Sequence, residues 1–215
     1  MLVLYPLAGV LFRLRWRHLD RIPAQGGVLI AINHVSQADT AATARMVWQA
    51  GRIPRFLIKS GVFSWPLVGL VMRGAGQIPV HRGTADARQS LEEANSALSR
   101  GECVIIYPEG TITSDPDYWP MTGRTGVARI ALDNPSIPLY PVGQWGAQQT
   151  LARGGRFRPI PRHTHSASVG PALNLSRFVG HEHTADLLRE VTDLIMSAIT
   201  AEVASVRNEA APRKP

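Results

Sequence analysis

Two short runs of unbroken apolar residues do most to limit the folds open to this chain. Val28-Leu29-Ile30-Ala31-Ile32 and Cys103-Val104-Ile105-Ile106 show no polar residue at alternate positions. A strand with one wet face alternates, whereas a strand apolar on both sides is covered on both sides, as in the middle of a parallel sheet. Segments of helical character lie between and after these runs. Residues 37–50 read as a helix stopped by Gly51, and residues 62–73 as an apolar helix with a break or first turn at Pro66. Residues 84–99 place Ala87, Leu91, Ala94 and Leu98 at helical spacing before Gly101. Residues 126–132 form a short helix. A last helix starts near Thr184, with Leu187, Leu188, Val191, Leu194, Ile195, Ala198 and Ile199 on one stripe. Further strands are expected at 56–59, 77–80, 138–142, 156–160 and 166–169. This alternation predicts a single α/β domain, its largely parallel or mixed central sheet flanked by helices.

The charge balance is basic, with 23 Lys+Arg against 16 Asp+Glu and a net charge of +7. The only lysines are Lys59 and Lys214, so the excess is arginine, which suits bidentate phosphate contacts. The arginines are scattered, apart from the loose series Arg13, Arg15 and Arg17, and no zinc-finger spacing or aromatic-plus-basic RNA signature is present. Nucleic acid is therefore not an expected partner. The lone Cys103 forms no internal disulfide and reads as a small core residue. His163-Thr164-His165 and His181-Glu182-His183 lack the helical His-x3-His spacing and nearby cysteines of a metal site, and no metal is expected. Residues 1–12 carry no charge but are too few to span a bilayer. Followed by Arg13, Arg15, Trp16 and Arg17, they read as an interfacial helix, with an ordinary core helix as the alternative. The polar stretch 208–215 reads as a flexible tail.

The first apolar run leads into Asn33-His34-Val35-Ser36-Gln37-Ala38-Asp39. On a continuous helix, five residues would turn His34 and Asp39 about 140° apart. They meet only if His34 lies in the turn and Asp39 in the first helical turn. There Asp39 can fix the tautomer of the imidazole and leave its other nitrogen to take a proton. Ser36-Gln37-Ala38-Asp39 also fits a helix capping box, so Asp39 has a purely structural reading as well.

Three further segments join this run in a fixed order: Gly76-Gln77-Ile78-Pro79-Val80-His81-Arg82-Gly83, then Tyr107-Pro108-Glu109-Gly110-Thr111, then Ile137-Pro138-Leu139-Tyr140-Pro141-Val142. Together the four resemble the sequence blocks of the glycerolipid acyltransferases, and most closely those of the lysophosphatidate (1-acyl-sn-glycerol-3-phosphate) acyltransferases. The resemblance covers residues 25–145. It implies that His34 is the general base and Asp39 its orienting acid, with Asn33 ahead of the histidine. Arg82 would bind the substrate phosphate, and Glu109 and Gly110 would help form that site, with Thr111 beside them. Arg124 and Lys59 match basic positions of the family, and Pro138 is structural or related to the acyl donor. Glu109 sits oddly beside a phosphate, unless it holds Arg82 or Arg124.

The activity so implied moves a fatty acyl group from acyl-CoA, or from acyl carrier protein, to the free hydroxyl of lysophosphatidate, without a cofactor. Glycerol 3-phosphate or another lysophospholipid is the alternative acceptor, and an inactive lipid-binding protein the remote one. On this reading residues 1–20 are a membrane-interface segment and 21–207 the acyltransferase domain, peripheral or monotopic on the cytoplasmic face, where anionic lipid is a partner. Residues 62–72 line an acyl tunnel, lie in lipid or form a core helix, and the loop around Asp117, Tyr118, Trp119 and Pro120 is placed to act as a lid. The chain departs from the family at Pro79 and His81, where an aromatic and an acidic residue are usual, and at Gly61, where an acid is common. A guanidinium that holds the acceptor's phosphate gives a direct test. Arg82→Ala is expected to lower kcat/KM for phosphate-bearing acceptors far more than for uncharged glycerides, and equal loss on both contradicts the role.

Overall fold

A computed structural model of the chain describes residues 4–80 and 87–212. In chain order the elements are α1 (Leu4–Leu11), β1 (Phe12–Arg17), β2 (Val28–Ile32), α2 (Asp39–Gln49), β3 (Pro54–Lys59), α3 (Val68–Gly74) and β4 (Ile78–Val80). They continue with α4 (Ala87–Ser99), β5 (Cys103–Ile106), α5 (Gly126–Asp133), β6 (Leu139–Trp145), α6 (Ala147–Thr150), β7 (His163–Val169) and α7 (Ala185–Arg207). The seven strands form one mixed sheet in the order β1-β7-β6-β2-β5-β3-β4. All neighbours are parallel except β6 and β7, so β7 and β1 run against the other five.

The two apolar runs hold the centre, and their period of two explains why. Leu29, Ala31, Val104 and Ile106 face a core closed by α4, α5 and α7. Val28, Ile30, Ile32, Cys103 and Ile105 face the opposite core, closed by Ala44, Met46 and Val47 of α2. A strand between two helical layers has no wet face, and so no place for a polar residue. Burial pushes the Cys103 thiol up to about 12, which makes it an inert core group.

α7 is seated on β6, and Thr184 caps its start by accepting from the Leu187 amide at 3.2 Å. The helix lies close against Gly143, where a Cβ would lie 2.3 Å from the backbone of Glu202 and Val203. At the opposite edge from the strand ends that carry the histidine run, the buried Arg52 donates to the carbonyls of Pro23, Gly26 and Gly101. One guanidinium thereby joins two connections, the loop before β2 and the turn between α4 and β5, by their inward-facing carbonyls.

Three regions differ from the sequence expectation. Residues 12–17 belong to the sheet and not to a separate interface segment. Phe12, Leu14 and Trp16 alternate there with the exposed Arg13, Arg15 and Arg17, a strict period of two. Residues 62–73 are not one helix: a 3-10 turn, Ser60–Ser64, precedes α3, and the chain breaks at Pro66 and at Leu67, whose φ is +59°. Pro66 brings no N–H to a continuing helix. Residues 156–160 form no strand beyond a single bridge between Leu151 and Phe157, because Pro159 and Pro161 remove donors from the ladder.

The Gly143 approach predicts its own test. Gly143→Ala forces α7 off β6 and is expected to cost about 1–3 kcal/mol or more, read as a lower urea midpoint. An unchanged midpoint means the helix does not seat there.

Candidate active site

β2 ends at Ile32, and the next two residues turn out of the sheet at its carboxyl edge, where sites of parallel sheets gather. Asn33 fixes the exit. Its side chain donates to the Gln144 carbonyl at 3.1 Å and accepts from the Gln144 amide at 2.8 Å, and the Gln144 side chain donates to the Asn33 carbonyl at 2.7 Å. A two-headed amide is one of the few side chains able to answer a donor and an acceptor on the neighbouring strand. His34 therefore starts its turn from a fixed backbone.

Asp39 then closes the turn. Its carboxylate is fully buried and accepts from the amides of Val35 at 2.8 Å and Ser36 at 2.9 Å, while His34 Nδ1 lies 3.0 and 3.2 Å from its two oxygens. Ser36 Oγ accepts from the Ala38 amide at 3.0 Å. Asp39 thus makes one half of the capping-box exchange, with the Ser36 amide, while it holds the imidazole; α2 itself starts at Asp39 behind Ala38, with no side-chain cap. A carboxylate accepting three N–H groups places the proton on Nδ1 and leaves Nε2 as the basic nitrogen.

The imidazole also rests on a ring. Tyr107, at the end of β5, stacks on His34 with centroids 4.2 Å apart and an interplanar angle of 19°, and Phe56 stacks behind it at 6.3 Å. The Tyr107 hydroxyl lies 3.4 Å from Thr43 Oγ1, and burial pushes its pKa up, so it stays a neutral platform. Thr43 in turn donates to Gln144 Oε1 at 3.1 Å, and His165 Nε2 meets the same oxygen at 3.1 Å. Burial lowers the pKa of His165 to about 4, so it is neutral and structural. Of the other histidines that invited a metal reading, His163 Nδ1 lies 3.1 Å from Thr150 Oγ1 and His183 lies 3.5 Å from Asp133.

A cleft of about 230 Å3 opens at this point, lined by His34, Thr40, Phe56, Lys59, Tyr107, Gly110 and Thr111 among others. The structure thus brings Lys59, Gly110 and Thr111 to the histidine. Gly110 has φ +68°, and a Cβ there would lie 2.8 Å from Arg124 Nε, so the glycine both makes the turn and lets the exposed Arg124 pass over it. Arg82 and His81 lie outside the described residues. Pro138 is at the far end of the sheet: Leu139 pairs with Leu29, roughly 15 Å of strand before the histidine.

Glu109 meets backbone amides, and its expected partner Arg82 lies outside the described residues. Glu109 is buried, and its two oxygens accept from the amides of His34 at 2.9 Å and Met121 at 3.0 Å. Among the described residues it forms no ion pair with Arg124. It ties the histidine turn to the loop that follows β5, and burial raises its pKa to about 7. That loop is strapped down instead of forming a free lid. Asp115 accepts from Asp117 and Trp119, and the Arg207 guanidinium lies over the rings of Trp119 at 4.1 Å and Trp145 at 4.0 Å.

A family model described as Acyltransferase matches residues 13–145. The chain belongs to the acyltransferase family. The lyso-ornithine lipid O-acyltransferase of Pseudomonas aeruginosa is 32% identical over 97 residues, 45% of this chain and 36% of that protein. The 1-acyl-sn-glycerol-3-phosphate acyltransferase of Neisseria gonorrhoeae is 33% identical over 92 residues, 41% of this chain and 33% of that protein. The matched part thus spans about a third of the length of these relatives. The crystal structure of the 1-acyl-sn-glycerophosphate acyltransferase PlsC from Thermotoga maritima superposes with a TM-score of 0.71, covering 97% of this chain and 80% of that one at 16% identity, a likeness of fold.

The buried Glu109 makes a prediction with a definite sign. The unfolded chain releases this proton near 4.5, whereas the folded protein holds it to about 7. Between those values the unfolded state binds fewer protons, so rising pH favours unfolding, by on the order of 3 kcal/mol at most. Glu109→Gln is expected to be less stable at pH 5 by about 1–3 kcal/mol, because its amide sets a donor against one backbone N–H. The variant also loses the downward slope of stability between pH 5 and 7.5. Urea midpoints at the two pH values check both effects, and parallel slopes contradict the burial of a titrating carboxyl.

Proposed function

We propose that the protein moves a fatty acyl group from acyl-CoA or acyl carrier protein to the sn-2 hydroxyl of 1-acylglycerol 3-phosphate, making phosphatidic acid. The observation that carries this reading is a histidine with its Nδ1 held 3.0 Å from a buried carboxylate at a cleft that also presents Lys59, Gly110 and Thr111. The acyl thioester is already activated, so no enzyme nucleophile is needed. His34 Nε2 takes the hydroxyl proton as that oxygen bonds to the thioester carbonyl carbon. The C–S bond then breaks, and the imidazolium returns its proton to the leaving thiolate. Asp39 holds the ring and stabilises its charged form while the proton is there. Lys59 and Arg124, with Arg82 from the sequence, supply the cations for the acceptor's phosphate.

The surroundings suit a lipid. Trp65, Leu67, Leu70 and Val71 are all exposed on the segment that follows Lys59 and flanks the cleft. Large apolar side chains left in water along one short segment mark a contact surface, here for acyl chains or the membrane they leave. No described helix is long and apolar enough to cross a membrane. Peripheral or monotopic attachment at the cytoplasmic face completes the reading. The relative named for lyso-ornithine lipid favours that lipid as a second acceptor.

A panel of lysophosphatidate, glycerol 3-phosphate, other lysophospholipids and lyso-ornithine lipid with labelled acyl-CoA tests the proposal. Fastest transfer to lysophosphatidate is expected, with a loss of about 10²–10⁴-fold in His34→Ala, which stays folded but melts at a lower temperature because Asp39 loses a donor. Undiminished turnover in His34→Ala sinks the mechanism, and preference for the ornithine lipid selects the second reading.

A further inference from the structure

The segment between α6 and β7 takes no part in the site chemistry described above, yet its composition stands apart. It reads Leu151-Ala152-Arg153-Gly154-Gly155-Arg156-Phe157-Arg158-Pro159-Ile160-Pro161-Arg162. Arg153, Arg156 and Arg158 are exposed, and among the described residues none of them forms an ion pair. The sequence supplies no local counter-charge either, since no Asp or Glu occurs between Asp133 and Glu182. Set among these guanidinium groups are two large apolar side chains held in water, Phe157 at 55% exposure and Ile160 at 86%. Exposed arginines alone describe a solvated face. Arginines interleaved with exposed apolar side chains describe a face that meets negative charge and hydrocarbon together, which is the interface of an anionic bilayer.

The loop's place in the fold favours the same occupant. Ser36 Oγ donates to the Leu151 carbonyl at 2.6 Å, so the loop leaves the protein two residues from His34. At its other end the Arg162 guanidinium donates to the carbonyls of Gly9 and Phe12, which ties it to the C-terminal end of α1. β7 runs against β6, and β1 runs with β7. The loop and the end of α1 therefore lie at the sheet edge that carries His34. The exposed Trp65 and Leu67 follow the end of β3 at that same edge.

We propose that residues 153–160 form a docking loop for an anionic bilayer, with Arg153, Arg156 and Arg158 on headgroup phosphates and Phe157 and Ile160 seated among the acyl chains. The proposal rests on the acyltransferase reading only in that a lipid substrate brings the protein to a membrane. The test uses the full chain in three forms: wild type, the triple variant Arg153→Gln, Arg156→Gln, Arg158→Gln, and the double variant Phe157→Ser, Ile160→Ser. Each is sedimented with vesicles of phosphatidylcholine alone and of phosphatidylcholine mixed with phosphatidylglycerol.

The triple variant is expected to lose on the order of 100-fold in affinity for the mixed vesicles and little for the neutral ones. The double variant is expected to weaken on both. Turnover of a water-soluble, short-chain lysophosphatidate should be the same in all three forms, because the loop lies outside the cleft. Absence of that turnover in the wild type overturns the acyltransferase reading and leaves the vesicle result to decide the loop. Mixed-vesicle affinity in the triple variant equal to that of the wild type overturns the docking loop. So does binding of a single-stranded oligonucleotide, lost in the triple variant, by a wild type that ignores vesicles.

Discussion

The buried carboxylate of Asp39 is the constraint on which the site depends. A carboxylate taken out of water is tolerated only when its lone pairs are answered. Here the donors are the amides of Val35 and Ser36 and the imidazole Nδ1 of His34. Satisfying one charge therefore sets three things at once: the shape of the turn after β2, the starting point of α2 and the tautomer of the histidine. The separation of five residues, awkward on a helix, works because the chain passes from strand to turn to helix within it.

Around this group the protein is built to stay still. Gln144 joins β6 to the Asn33 turn, to Thr43 on α2 and to His165 on β7, so four elements share one buried amide. Glu109 does the same between the histidine turn and the loop after β5, and Arg207 packs that loop's Trp119 against α7. A satisfied buried polar network has one low-energy arrangement, because any shift strands a donor or an acceptor in low dielectric. The walls of the cleft are fixed in this way, while its flanks at residues 65–71 and 153–160 carry exposed apolar groups. Rigid chemistry beside an apolar rim matches the proposed substrate, whose reacting end is polar and whose tails are not.

Much of the architecture was legible in local patterns. The two central strands, the amphipathic α4 and α7 and the strand-to-helix turn at His34 each follow from residues near one another in the chain. The period of two in Phe12-Arg13-Leu14-Arg15-Trp16-Arg17 was equally visible, but the neighbouring uncharged residues and the arginines invited an interfacial reading. Tyr107 and Gln144 were not legible as site residues. Tyr107 looks like one more strand-end aromatic, and Gln144 like one polar residue in a strand, until folding stacks the one on His34 and aims the other at Asn33, 111 residues away. Glu109 was singled out, but its partners proved to be backbone amides, and no pattern of side chains announces those.

The sequence by itself determined which residues can do chemistry and which strands are covered on both faces. Those properties depend on composition and period over a few residues. The tertiary structure alone decided what each group does, because that depends on burial and on partners distant in the chain. Asp39 became the shared acceptor of two turn amides and the His34 ring, Glu109 a buried tie between two turns, and Pro138 a residue at the opposite end of the sheet from the histidine.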